Sequence, residues 1–219
     1  MIVSIDGKPH LRPCRSIPSE GLEHNEYVPV PIAVRYAELT KALPLSGIEV
    51  LGRSRSGEEP KLAAALRAEA PWMEAAIDRI ASQLDLAAWT GQPWLSLRPM
   101  LLVGPAGAGK SHFARRLGEL SGCGSAALSF AGVSSNAELA GNPRGFKHAQ
   151  PSFPACAMQR LCTANPVVVI DEVEKSAGGS MGDPLATLLP MLERSDACRY
   201  FDGCLMAEID LSHVNWILT

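Results

Sequence analysis

The sequence lacks any apolar run close to the roughly 20 residues that a membrane-spanning helix needs, so we expect no membrane partner. It also lacks a concentrated basic segment, because its formal net charge is −3 and both signs of charge are spread over the chain. Proteins that bind nucleic acid by neutralising its phosphates carry a basic face. The composition therefore argues against nucleic-acid binding and, at 47% hydrophobic residues, favours a globular chain with a substantial core.

Paired cysteines are absent as well. The six cysteines include no C-x-x-C pair, and disulfide frameworks belong mainly to much smaller secreted chains. We therefore expect reduced, buried thiols rather than metal ligands. Residues 1–15, MIVSIDGKPHLRPCR, contain no charged segment followed by an apolar core, so they predict no signal peptide. Both observations favour a cytoplasmic location.

The chain divides into three predicted regions. Residues 1–60 form an irregular N-terminal segment, because repeated prolines interrupt short apolar stretches and leave room for one helix near residues 33–43. Residues 61–98 form a helical lead-in, in which apolar residues recur at three- and four-residue steps from Leu66 through Met73 to Leu84. Pro71 predicts a break or a new helix start within it. Residues 99–219 form the core of the protein.

Strands and helices alternate in this core region. Predicted strands occupy residues 100–103, 126–130, 166–170 and 213–219, and predicted helices occupy residues 110–120, 153–163 and a segment that begins after Asp183 and should kink at Pro190. Short, uninterrupted apolar strands are typical of a parallel sheet that is covered on both faces. The expected fold class is therefore α/β, with a parallel sheet flanked by helices and preceded by an irregular and helical N-terminal segment.

The segment between the first predicted strand and its helix reads GPAGAGKS, residues 104–111, and fits the pattern G-x-x-x-x-G-K-[ST]. Its glycines allow a tight turn that brings backbone N–H groups against phosphate oxygens, and the following helix adds the positive end of its dipole. Lys110 should reach the β- and γ-phosphates, and the Ser111 hydroxyl should bind Mg²⁺. The predicted nucleotide-binding residues are Gly104, Pro105, Ala106, Gly107, Ala108, Gly109, Lys110, Ser111 and His112. The alternative is a glycine-rich turn that contains Lys-Ser by chance; the strand before it and the helix after it disfavour this alternative.

Two carboxylates, Asp171 and Glu172, end the strongest predicted strand in the sequence VVVIDE. Parallel sheets place their chemistry at the carboxyl ends of the strands, so the pair should lie beside the phosphate loop. Asp171 is the predicted metal ligand, and Glu172, with Lys110, is the predicted catalytic residue, because a carboxylate there could orient and deprotonate the attacking water. A small-molecule kinase is a further alternative, but the sequence offers no arginine cluster after Asp171 to serve as a basic lid.

Four stretches give residues 99–219 a family resemblance: LLVGPAGAGKSHFARRL, NPVVVIDEVEK, GDPLATLLPMLE and FDGCLMAEIDLSHVNWILT. Together they resemble an AAA+ ATPase module and, within that superfamily, the ATPase core of Lon-type proteases and their protease-less relatives. The first two stretches are shared by many ATPases, and the last two are more particular. The resemblance implies a P-loop NTPase fold of the AAA+ type, ATP and Mg²⁺ as ligands, and hydrolysis of ATP by water to ADP and phosphate.

The resemblance also implies partners. Such proteins work as homo-oligomeric rings that remodel or unfold protein clients, and the segment NPRGFKHAQPSFP lies where Lon-like rings place pore loop 1. Phe146 is its candidate aromatic; Lys147 departs from the usual apolar neighbour, and a packed loop aromatic is the alternative. In the family, the stretch before the phosphate strand, here residues 71–95, borders the adenine.

The end of the sequence leads to a further expectation. In the family, the last strand carries sensor 1 and continues T-A-N, whereas this sequence ends at Thr219. We therefore expect a portion of a longer ATPase, truncated at the sensor 1 strand, without the arginine finger and without a protease domain. Two functions remain open: a Lon-like AAA+ ATPase acting on protein clients, and a nucleotide-binding fragment or scaffold with negligible hydrolysis. In either case this chain by itself should be a weakly active ATPase.

Overall fold

The computed structural model describes residues 59–92, 94–131, 133, 135–175 and 182–219, so the predicted helix near residues 33–43 and most of the predicted N-terminal segment lie outside the described residues. The chain forms two compact units. Among the described residues, one unit contains residues 59–131, 163–175 and 213–219, and the other contains residues 133–162 and 182–212. We call them the sheet unit and the hairpin unit.

The sheet unit begins with the helical lead-in that the sequence predicts. Helix α1 (Lys61–Glu69) is followed by a 3₁₀ turn (Pro71–Met73) and helix α2 (Glu74–Trp89). Pro71 cannot donate a backbone hydrogen bond to α1, and it suits the first position of a new turn, so the break falls where predicted. Of the predicted apolar stripe, Leu66 and Leu84 are buried and Met73 is partly buried against the core.

Four parallel strands form the sheet, in the order β1 (Met100–Leu101), β6 (Asn215–Leu218), β3 (Val167–Asp171) and β2 (Ser125–Ser129). The last strand of the chain therefore lies between the first and the third, beside the strand of the phosphate loop. Val167 and Val169 join the core on one face, while Val168 is equally buried on the other. The model is thus an α/β structure with a parallel sheet flanked by helices, as the alternating pattern predicts.

Helix α3 (Lys110–Leu120) packs on this sheet and matches its predicted bounds. Phe113 and Leu117 are buried in the same core as Val167 and Val169. The close approach requires glycine at position 118, because a Cβ there would lie 2.7 Å from the carbonyl oxygen of Gly124. The helix that carries the phosphate loop is therefore held tightly against the strands.

A buried polar network fixes the segment that enters β1. The side chain of Asn215 accepts a hydrogen bond from the backbone N–H of Leu97 at 2.7 Å and donates to the carbonyl of Asn165 at 2.8 Å. Asn165 in turn donates to the carbonyl of Leu95 at 2.9 Å. Both amide side chains have backbone partners, so their burial leaves no unpaired polar group to destabilise the fold. The network also fixes the position from which the phosphate-loop strand starts.

The hairpin unit contains the remaining elements. They are α4 (Ala137–Ala140), α5 (Phe153–Leu161), α6 (Pro184–Leu192), α7 (Arg194–Ala197) and the antiparallel pair β4 (Tyr200–Asp202) and β5 (Ala207–Ile209). Asp183 caps α6 as predicted, since its carboxylate accepts the N–H of Leu185 at 2.9 Å. The fully buried carboxylate of Asp202 accepts backbone N–H groups from Ser152, Cys204 and Leu205 at 2.8–3.0 Å, which ties the start of α5 to the hairpin.

Several predicted bounds differ from the structure by one or two residues. The strand predicted at 100–103 has only two ladder residues, although Leu102 still donates to the carbonyl of Leu218 at 2.8 Å. The strands predicted at 126–130, 166–170 and 213–219 are Ser125–Ser129, Val167–Asp171 and Asn215–Leu218. The helix predicted to reach residue 163 ends at Leu161, because Cys162 adopts the left-handed conformation with φ 52°.

Within the part of the chain that the structure describes, no helix combines the length and the apolar character that crossing a membrane requires.

Candidate functional site

The phosphate loop connects β1 to α3 and leaves the start of that helix open. Gly107 and Gly109 have φ values of 76° and 83°, a conformation that favours glycine. Gly109 is the N-cap residue of α3, and no side chain caps the helix. The first N–H groups of a helix have no partner within it. The amides that follow Gly109 can therefore donate hydrogen bonds to an anion at the positive end of the helix dipole.

Lys110 lies across the loop. Its ammonium group donates hydrogen bonds to the carbonyl oxygens of Gly104 at 2.9 Å and Pro105 at 3.0 Å. The side chain is partly exposed, and these neutral acceptors are weaker partners for an ammonium than phosphate oxygens would be. The Lys110 ammonium group therefore lies beside the loop, where it can leave the two carbonyl oxygens and bind phosphate oxygens instead.

The acidic pair lies in the same cavity as the loop. This cavity has a volume of about 750 Å³ and is lined by the phosphate loop from Gly104 to His112 (Pro105 excepted), by Asp171, Glu172 and Lys175, and by Thr219. Asp171 ends β3 opposite Ser129 of β2, which places its side chain at the carboxyl edge of the sheet. The structure thus brings together the residues that the sequence selects for the site.

Asp171 is held by several donors. Burial alone would raise the pKa of its carboxyl group, but hydrogen bonds from the side chains of Thr219 and Ser111, the backbone N–H of Glu172 and the charge of Arg115 outweigh it, so the pKa lies below its ordinary value. The carboxylate form is therefore favoured in the folded chain. The hydroxyl of Ser111, the other predicted metal ligand, is thus among the groups that lower the pKa of Asp171.

Glu172 adopts an unusual conformation for a non-glycine residue, with φ 56°. Its carboxylate forms an ion pair with Lys175, one turn further along in a 3₁₀ turn (Val173–Lys175), and accepts a hydrogen bond from the Ser129 hydroxyl at 3.3 Å. The hydrogen bond with Glu172 also raises the pKa of the Lys175 ammonium group. In this arrangement the predicted base is engaged by two side chains of the protein.

The residues at this edge fit Mg²⁺. A hydroxyl and an ionised carboxylate are hard oxygen ligands, and Mg²⁺ commonly uses one or two such protein groups while phosphates and water complete its shell. Among the described residues there is no cluster of three or more His, Cys, Asp or Glu side chains able to hold a metal. Ser111 and Asp171 are the two groups at this edge that could hold such a cation.

A second cavity of about 470 Å³ adjoins the first in the sheet unit. Its lining includes Trp72, Met73, Ala76 and Arg79. It shares residues 101–103, at the end of β1 and just after it, with the lining of the first cavity. The indole N–H of Trp72 donates to the carbonyl of Ala108 at 3.1 Å, and 66% of the side chain is exposed. An exposed indole that touches the phosphate loop offers an apolar face beside the site.

Phe146 lies in the hairpin unit, in a loop that is closed at its base. Asn142 and Gln150 exchange backbone hydrogen bonds at 2.9 and 3.1 Å, and the backbone N–H of Arg144 donates to the carbonyl of Gly203 at 3.0 Å. Phe146 itself is 64% exposed within the described part of the chain. Its proposed contact with a protein client remains a prediction.

Sequence reasoning did not select every residue that the site contains. Thr219, Ser129 and Lys175 contact the acidic pair, and Trp72 contacts the phosphate loop. Lys175 could have been found from its spacing, since it follows Glu172 by three residues. The other contacts join separate elements of the fold, and no local sequence pattern indicates them.

A parallel α/β sheet with a glycine-rich loop between its first strand and a helix, and an acidic pair at a neighbouring strand end, defines the class of P-loop NTPase folds. No family model matches the chain. Individual proteins do. Lon protease of Metamycoplasma arthritidis is 32% identical over 120 residues, which is 55% of this chain and 14% of that protein.

Two further relatives give the same result. Lon protease of Rickettsia typhi is 32% identical over 120 residues, covering 55% of this chain and 15% of the relative. Lon protease of Aquifex aeolicus is 31% identical over 147 residues, covering 67% of this chain and 18% of the relative. These similarities support a Lon-type AAA+ module in this chain. The chain aligns with less than a fifth of the length of each of these relatives.

Proposed function

We propose that the chain is the ATP-binding part of a Lon-like AAA+ ATPase that hydrolyses ATP to ADP and phosphate with Mg²⁺. The observation that carries the proposal is the shared cavity: the phosphate loop and the acidic pair line the same 750 Å³ space at the carboxyl edge of the sheet. ATP needs both a cradle for its phosphates and a place for its cation. Bound Mg²⁺ would neutralise charge on the phosphates.

Each residue of the site has a part in this proposal. The backbone N–H groups of the loop and the start of α3 would hold the phosphates, and Lys110 would move from its two carbonyl partners to the β- and γ-phosphates. Ser111 and Asp171 would hold the cation. Glu172 would orient the attacking water and accept its proton after leaving Lys175. The cavity beside Trp72 would receive the adenine, in line with the position of residues 71–95 in the family.

We further propose that this activity serves protein clients within a homo-oligomeric ring in the cytoplasm. The support is the relationship to proteins named Lon protease and the exposed Phe146 on a loop that its own hydrogen bonds hold in place. An exposed aromatic on a restrained loop can grip an apolar side chain of a client at little entropic cost.

A second candidate is a nucleotide-binding scaffold with negligible hydrolysis. The contacts of Glu172 favour it, because Lys175 and Ser129 already occupy part of the hydrogen-bonding capacity of the carboxylate that would have to accept a proton from water. Both candidates require ATP binding, and they differ only in turnover. They are separated by measuring hydrolysis after binding has been established.

The binding proposal is tested by titrating the chain with a fluorescent ATP analogue in Mg²⁺ and displacing it with unlabelled ATP or with inorganic tripolyphosphate. We expect saturable binding, and we expect ATP to displace the analogue at lower concentration than tripolyphosphate, because only ATP fills the cavity beside Trp72. Absence of saturable binding would contradict the proposal. Equal displacement by both competitors would show that the second cavity does not receive the base.

A further inference from the structure

Thr219 contacts β3 and the turn after it at three points. Its backbone N–H donates to the carbonyl of Ile170 at 2.9 Å, and its carbonyl accepts the N–H of Val173 at 3.1 Å. Its hydroxyl donates to Oδ1 of Asp171. Thr219, the residue that follows β6, thus spans the stretch in which the chain leaves β3 and Glu172 takes its left-handed conformation.

The hydroxyl contact orients the carboxylate of Asp171. Oδ1 accepts both the Thr219 hydroxyl and the backbone N–H of Glu172, the latter at 3.1 Å. Thr219 is only 7% exposed, and its branched side chain allows few rotamers. With Oδ1 held from two directions, the plane of the carboxylate is set, and the direction of its second oxygen is set with it.

We propose that Thr219 is a positioning residue for the metal ligand Asp171. Its hydroxyl holds Oδ1 so that the carboxylate meets the cation of a bound nucleotide in one orientation, in the cavity that Ser111 also lines. This inference rests on the proposed ATP site. Groups that hydrogen-bond a metal ligand typically change metal affinity about 10–100-fold when they are removed, so the hydroxyl should matter for Mg²⁺ more than for the nucleotide itself.

A purely structural role for this hydroxyl makes a different prediction. If the contact only satisfied a buried polar group, its loss would lower stability and would weaken ATP binding equally with and without Mg²⁺. A positioning role instead affects the Mg²⁺-dependent part of binding alone. The ratio of ATP affinities in Mg²⁺ and in EDTA therefore separates the two roles.

The test compares Thr219→Val, which keeps the shape and removes the hydroxyl, with Thr219→Ser, which keeps the hydroxyl, in the 219-residue chain. A fluorescent ATP analogue is titrated in excess Mg²⁺ and in EDTA. We expect Thr219→Val to lower the Mg²⁺-dependent gain in affinity about 10-fold and to leave affinity in EDTA unchanged. Thr219→Ser should retain most of the gain. Thermal unfolding of each variant shows whether it is folded, and Thr219→Cys replaces Thr219→Val if the latter is not.

Three outcomes would overturn the inference. An unchanged Mg²⁺-dependent gain in the hydroxyl-free variant would show that Asp171 needs no such support. Equal losses of affinity in Mg²⁺ and EDTA would assign a structural role. If the wild-type chain binds the analogue in neither condition, the proposed ATP site fails and this inference fails with it, whereas normal wild-type binding with an unaffected variant removes this inference alone.

Discussion

Replacing Lys110 with alanine should weaken ATP binding by roughly 100-fold, the largest effect on affinity that we expect from any single side chain. The lysine is the cation of the phosphate loop and sits within it, bonded to the carbonyls of Gly104 and Pro105. A charge-assisted hydrogen bond contributes about 1.5 kcal/mol at the low end of its range, which we take for this partly exposed lysine, and two such bonds correspond to about two orders of magnitude in the dissociation constant. Titration with a fluorescent ATP analogue in Mg²⁺ measures the change.

Lys61→Ala is the matched control for this substitution. Lys61 is an exposed lysine of the same unit, at the start of α1 and outside the cavity lining, so its removal changes the net charge equally without touching the site. We expect Lys61→Ala to bind the ATP analogue with the affinity of the wild type. Equal affinities for wild type and Lys110→Ala would contradict the assignment of the loop as a phosphate site.

Replacing Glu172 with glutamine should slow ATP hydrolysis by about 10²–10⁴-fold, the usual contribution of a positioned general base, and leave ATP affinity nearly unchanged. Glutamine keeps the size of the side chain but cannot accept a proton from water. In the proposed function other residues of the cavity would hold the phosphates and the cation, so binding should not depend on this carboxylate. Single-turnover hydrolysis with the protein in excess over labelled ATP measures even a slow rate.

Glu174→Gln provides the comparison, because Glu174 lines the same cavity and is exposed. This variant should hydrolyse ATP at the wild-type rate. If both variants match the wild type, Glu172 is not the base. If the wild-type chain binds ATP and shows no turnover even in this assay, the scaffold is the better description, as the contacts of Glu172 with Lys175 and Ser129 would suggest.

The parallel sheet and its flanking helices could be predicted from sequence because local patterns indicate them. Uninterrupted apolar strands alternating with amphipathic helices indicate a parallel sheet, and the loop of residues 104–111 fixes which end of the sheet carries the site. The order of the strands, with β6 between β1 and β3, depends on how separate elements pack, and no local pattern determines it. The bounds of α3 followed from its loop and its apolar stripe.

The contacts that refine the site could not be predicted in this way. The hydroxyl of Thr219 meets Asp171 across 48 positions of sequence, and the indole of Trp72 meets Ala108 across 36. Such contacts depend on how separate elements pack, and no periodic pattern encodes them. The left-handed conformation of Glu172 was likewise unexpected, because a glutamate does not favour that region by itself and is held there by its surroundings.

A crystal structure of the chain with Mg²⁺ and a non-hydrolysable ATP analogue tests the central claim most directly. We expect the β- and γ-phosphates to lie against the backbone N–H groups of residues 104–111 with Lys110 turned toward them, and the cation to lie between Ser111 and Asp171. A nucleotide bound elsewhere, or one whose phosphates leave Lys110 on its two carbonyl partners, would contradict the account.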